Sequence, residues 1–135
     1  RSNLEVARQA EEYLVSRKYP QREGFLKAAR EGKIGVQALY CNILTGLCSH
    51  EEACRLTAYA YKLHREYKIP YRSAMISDVP GYTWGTITSM SAAGVKYFSI
   101  GPNLLDRIGT TLQAWEDRPF YWQTPDGQHQ VLCWV

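Results

Sequence analysis

The chain has 135 residues, 45% of them hydrophobic and 21% charged. That is long enough for one domain with a real core, and the balance is ordinary for a globular protein. Its net charge of +3 is small. Cations and acids also alternate along likely helix faces (Glu51, Glu52, Arg55, Lys62, Arg65, Glu66), so no nucleic-acid surface is expected. No apolar run is long enough to span a membrane and no secretory signal is present, so no membrane partner is expected. The first residue is Arg, and the chain is therefore expected to be a processed or excised piece of a longer parent.

In chain order, residues 3–17 read as a helix: Leu4, Ala7, Ala10, Tyr13 and Leu14 recur near the 3.6-residue period, with Ser2 or Asn3 as cap. Pro20 breaks it and opens a second helix over 21–30, which Gly32 stops. Ile34, Val36, Ala38 and Tyr40 alternate as in a strand over 34–40. A loop follows over 41–48. Ser49 is a good helix cap, with Glu51 and Glu52 in the first turn, where the helix dipole favours acids. That helix is predicted to run to Tyr67, since Pro70 forbids continuation. Residues 71–76 read as a strand, 84–93 as a helix ended by Gly94, and 95–100 as a further strand. Residues 104–116 read equally as a short helix or an ordered loop. Strand-like 120–123 and 130–135 flank Pro125-Asp126-Gly127, a hairpin signal. Strands alternating with helices predict an α/β fold with a mostly parallel sheet. Its free edges are expected to favour homo-oligomerisation.

The four cysteines, Cys41, Cys48, Cys54 and Cys133, form no CxxC pair, and Cys48, His50 and Cys54 do not follow a standard zinc spacing. Buried free thiols are the expectation. His50 and His64 are expected on a helix surface and His129 in the hairpin.

Candidate chemistry gathers where the predicted strands end. Strand 34–40 runs into Cys41-Asn42, strand 71–76 into Ser77-Asp78, and strand 95–100 into Gly101-Pro102-Asn103. In a parallel sheet these ends share one rim, the side on which ligands bind. Asp78 is the candidate nucleophile or metal ligand there; the alternative is that it caps the next helix or closes the turn. Asn42 and Asn103 are placed to bind hydroxyls, or to serve as turn residues. Ten Tyr and four Trp are many for this length. Tyr82, Trp84 and Trp122, near strand ends, have apolar ring faces that suit stacking on sugar, although each is equally suited to a core. With Asn103 they form the candidate substrate-binding set, and carbohydrate is the expected partner.

Residues 76–103 (ISDVPGYTWGTITSMSAAGVKYFSIGPN) resemble the nucleophile region of glycoside hydrolase family 38, the class II α-mannosidases. Residues 31–52 (EGKIGVQALYCNILTGLCSHEE) and 118–135 (RPFYWQTPDGQHQVLCWV) resemble matching parts of bacterial members. The resemblance extends over nearly the whole chain, from about Tyr13 onward. It implies a retaining glycosidase on a seven-stranded β/α barrel, of which this chain would be a part. It also implies that Asp78 attacks the anomeric carbon and ligates zinc, as the carboxylate nucleophile of a two-displacement mechanism. The sequence departs from the family in having no His-x-Asp motif, in carrying Tyr82 where a His is frequent, and in placing Gly101-Pro102-Asn103 where an Arg often follows the strand. The family's later zinc His and acid/base Asp correspond to positions past Val135. One ligand does not hold catalytic zinc and one carboxylate does not run such a hydrolysis, so the isolated chain is expected to be inactive. Two other readings stand beside this one: a non-catalytic carbohydrate-binding or structural module, and a small α/β enzyme pairing Asp78 with Asp106 or Asp126.

Overall fold

The computed structural model describes residues 2–101 and 117–135. A short strand β1 (Ser2–Leu4) leads into helices α1 (Ala7–Ser16) and α2 (Gln21–Arg30), then β2 (Ile34–Val36). After a 3-10 turn (Thr45–Leu47) come α3 (His50–Arg55), α4 (Ala58–Tyr67), β3 (Ser73–Ser77), α5 (Trp84–Ala92), β4 (Tyr97–Gly101), β5 (Phe120–Gln123) and β6 (Gln130–Trp134). The fold is α/β, as expected. β1 and β2 form a two-stranded parallel pair. The other four strands are ordered β3-β4-β6-β5, with β3, β4 and β6 parallel and β5 antiparallel at the edge. The described residues thus make sheets of two and four strands, not a seven-stranded barrel.

Three elements depart from their predicted form, each because tertiary bonds override local pattern. The first strand lies where a helix was expected: Ser2–Leu4 pairs with Ile34–Val36, and α1 begins at Ala7 behind Val6, with no side-chain cap. Strand 34–40 is regular only to Val36. Beyond it the Ala38 N–H turns to the Ser73 carbonyl at 2.8 Å, and the Tyr40 N–H turns to the Leu56 carbonyl at 2.8 Å. That second bond takes a carbonyl from the predicted 49–67 helix, which is split there into α3 and α4. The local signals that succeeded are chemical. The Ser49 Oγ accepts from the Glu52 N–H while the Glu52 carboxylate accepts from the Ser49 N–H, a complete capping box. Gly94 ends α5 at φ +84°, where a side chain would be strained.

One face of the four-stranded sheet is buried. Ala74, Ile76, Phe98, Ile100, Val131 and Cys133 join Ile87 and Met90 of α5 in the core. α1, α2 and α4 bury Ala7, Ala10, Leu14, Phe25, Leu26, Ala29, Ala60 and Leu63 in the same cluster. The opposite face presents Ser73, Tyr97, Ser99, Leu132 and Trp134. Tyr97 and Trp134 there are half exposed. A parallel sheet ordinarily has both faces covered, and the described helices of this one pack on one side. Gln37 edges the open face, 9% exposed, with its side-chain oxygen buried and lacking a hydrogen-bond partner among the described residues.

Phe98→Ala should cost about 3–5 kcal/mol, because Phe98 is among the largest fully buried side chains. Gln37→Met should instead stabilise the chain by roughly 1 kcal/mol, since it removes an unsatisfied buried oxygen at nearly constant volume. Urea denaturation followed by circular dichroism reads both shifts.

Candidate functional site

The strands converge at one rim. β3 and β4 run level to Ser77 opposite Gly101, and the Asp78 N–H then closes onto the Gly101 carbonyl at 2.6 Å. A Cβ at position 101 would lie 3.1 Å from the Ser77 Oγ, so glycine allows these ends to approach. Asp78 takes a left-handed backbone, φ 59°, a conformation that Asp adopts more readily than most residues. The chain then turns through Pro80 and Gly81, the latter at φ +87°. The Gly81 carbonyl accepts from the Gly46 N–H at 2.8 Å and the Thr45 Oγ at 2.7 Å, which ties this loop to the 3-10 turn behind β2. The cap of α5 is Thr83, not Asp78. Asp78 is exposed, and among the described residues its carboxylate accepts no hydrogen bond.

Two residues join Asp78 at the rim. The Asn42 side-chain NH2 donates to the Glu5 carboxylate at 2.9 Å, and its oxygen accepts from the Ser77 N–H at 3.3 Å. Glu5 follows β1, Asn42 follows the extended segment after β2, and Ser77 ends β3, so these bonds bring three chain ends together. Sequence reading placed Asn42 here but missed Glu5. β1 is three residues long, too short to show alternation, and its residues fit the helical period that begins at Ala7. Beside the Asp78 loop a cleft of about 460 Å³ opens between Asn42, Leu47, Cys48, Glu52 and Val79.

The other candidates are distributed differently. Tyr82 is partly buried and packs edge-on against Phe98, with ring centroids 6.0 Å apart. Its hydroxyl is buried without a hydrogen-bond partner among the described residues. Burial, assisted by the charge of Asp78, pushes that hydroxyl up to about 12. Trp84, at the start of α5, is 56% exposed, and its indole N–H donates to the Gln123 carbonyl on β5 at 3.0 Å. The ring is therefore held toward the far edge of the sheet. Trp122 pairs with Val131 on the helix-covered face and packs against the core. Asn103, and with it Asp106, lies outside the described residues. Asp126 sits in the β5–β6 turn, where its carboxylate accepts from the Thr124 hydroxyl at 2.5 Å and the Gln128 N–H at 3.1 Å. That turn precedes β6, so Asp126 is at the opposite end of the sheet from Asp78.

The thiols correct one expectation. Cys133 is buried and burial pushes it up to about 11, but Cys41 and Cys48 are partly exposed and Cys54 is exposed. His50 and His64 are on helices and His129 is in the hairpin. Among the described residues no group of three or more His, Cys, Asp or Glu side chains is arranged to hold a metal ion.

Compared with solved structures, the chain is similar to a protein in the glycosyl hydrolase family 38 from Enterococcus faecalis, with a TM-score of 0.70 at 17% identity. The match covers 97% of this chain and 13% of that one. At this identity the likeness is one of fold. No family model and no curated protein matches the sequence.

Tyr82 and Tyr59 are both held near 12 against an ordinary value of 10.0, chiefly by burial. A raised phenol favours the folded state below the unfolded value, and that contribution is lost as pH rises through the folded value. Stability should therefore fall between pH 10 and about 12. Tyr82→Phe should flatten that fall and remove one late step from the 295 nm absorbance titration.

Proposed function

We propose that this chain is the nucleophile-bearing part of a retaining, metal-dependent glycoside hydrolase of the α-mannosidase-like family 38 type, forming an arc of its seven-stranded β/α barrel. The observation that carries the reading is the position of Asp78: an exposed carboxylate on a left-handed residue, one step past the level ends of two parallel strands. That is where β/α enzymes place reacting groups. The similarity in fold to a family 38 structure supports the same reading, as does the sheet face that no described helix covers, which a closed barrel would turn inward.

In this reading an Asp78 carboxylate oxygen attacks the anomeric carbon of a bound glycoside. The bond to the leaving oxygen breaks, and that oxygen takes a proton from a second carboxylic acid of the longer protein. Water, deprotonated by the same group, then attacks the anomeric carbon and releases Asp78. Tyr82, Trp84, which offers an exposed ring, and Asn103 form the proposed substrate-binding set; Trp122, packed against the core on the helix-covered face, is less suited to it. Asp78 is also the proposed zinc ligand contributed by this chain. The described residues do not by themselves fit a catalytic zinc site, which uses about three protein ligands, so no step is derived through the metal. The 135-residue chain alone is proposed to be inactive, and its free sheet edge to favour association with other copies.

A second reading, a carbohydrate-binding module, draws on the exposed and anchored ring of Trp84. The two separate cleanly. In the longer protein, Asp78→Ala should lower hydrolysis of an aryl α-mannoside by more than about a thousandfold with the fold unchanged, and a chelator should also abolish turnover. Near-normal turnover in that variant would remove Asp78 from the chemistry. If the isolated chain binds oligomannose in calorimetry and Trp84→Ala abolishes the heat, the binding-module reading takes its place.

A further inference from the structure

The Ser77 main-chain N–H has a problem that its neighbours do not. Successive N–H groups along a strand point to opposite sides. The Asp78 N–H reaches β4, and the Ser77 N–H faces the side where β2 would continue. β2 is regular only to Val36, and the following segment bonds to Ser73 and Leu56 instead. A main-chain donor without a partner is costly where water is shut out, and at this exposed contact water is the competing partner. Here the partner is a side chain, the Asn42 oxygen at 3.3 Å.

An amide side chain has a donor end and an acceptor end, and it serves Ser77 only when turned one way round. Glu5 settles which way. An ionised carboxylate accepts and does not donate, so the Glu5 contact at 2.9 Å holds the Asn42 NH2 toward β1 and its oxygen toward Ser77. The bonds run in one line across four chain ends: Glu5 to Asn42, Asn42 to Ser77, and the next residue, Asp78, to Gly101 at 2.6 Å. The residue at the end of this line has a left-handed backbone that a strand would not impose.

We propose that Glu5 and Asn42 are positioning residues for Asp78, with Asn42 as the link and Glu5 fixing its orientation. The proposal rests on the reading of Asp78 as the reacting carboxylate. It assigns Glu5 no contact with substrate: its charge acts by setting the direction of one amide group.

Amide hydrogen exchange measured by NMR on the 135-residue chain tests the clamp without requiring turnover. Asn42→Ala should speed exchange at Ser77 by on the order of tenfold. Glu5→Ala, which frees the Asn42 amide to rotate, should speed it severalfold. Glu5→Gln keeps an acceptor and should stay within about twofold of the parent. Exchange at Phe98, in the core, should be unchanged in all three and serves as the control for folding. In the longer hydrolase the Asn42→Ala variant should lose kcat with little change in KM, as misplacement of a reacting group does. Unchanged Ser77 exchange in Asn42→Ala, or Glu5→Gln behaving like Glu5→Ala, overturns the clamp whatever Asp78 does. Full turnover in Asp78→Ala overturns the positioning role through the reaction, with the exchange result unaffected.

Discussion

The level ending of β3 and β4 is the constraint on which the rim depends. Ser77 lies opposite Gly101, where an added Cβ would crowd the Ser77 Oγ at 3.1 Å. That closeness lets the Asp78 N–H reach the Gly101 carbonyl, and the bond ends the ladder. The chain must then leave the sheet sharply, and it does so through two positive-φ residues, Asp78 and Gly81. The Gly81 carbonyl, held by Thr45 and Gly46, gives the turn a second anchor. A carboxylate on such a residue is presented to solvent by a backbone that is fastened on both sides.

The one-sided burial of the sheet belongs to the same picture. Apolar side chains of β3, β4 and β6 alternate into the helix-covered core, while Ser73, Tyr97, Ser99 and Trp134 face the other way. A doubly wound sheet would carry helices on that side too. An arc of a barrel would keep the side for its interior, where layers of side chains from other strands fill the space. Gln37, with a buried oxygen that nothing among the described residues satisfies, lies at the border of this face.

Much of the local architecture was legible because it is written in short-range chemistry. α2 falls on its predicted residues, 21–30, between Pro20 and Gly32. The capping box at Ser49 and Glu52, the stop at Gly94 and the hairpin at Pro125-Asp126-Gly127 follow the same logic. Each depends on residues within four or five positions of one another. What failed involved partners far apart in sequence. Ser2–Leu4 is a strand because it lies beside Ile34–Val36. The 49–67 helix is interrupted where Tyr40 bonds to the Leu56 carbonyl. Trp84 and Trp122 are both near strand ends in sequence, yet one is docked by its indole to β5 and the other faces the core.

The candidate site divides along the same line. By itself the sequence determined that an acid stands between a strand and a Pro-Gly turn, and that strand ends carrying Asn and aromatic residues recur along an α/β chain. Side-chain chemistry and turn propensity are local, so both can be read from consecutive letters. Only the tertiary structure decided that Asp78 rather than Thr83 is free of the helix cap, that Asp126 is at the other end of the sheet, and that Glu5 reaches the rim through Asn42. These facts depend on which strand lies beside which. Strand adjacency comes from burying a shared core and from giving every main-chain N–H a partner, and neither condition can be read from any short stretch of the chain.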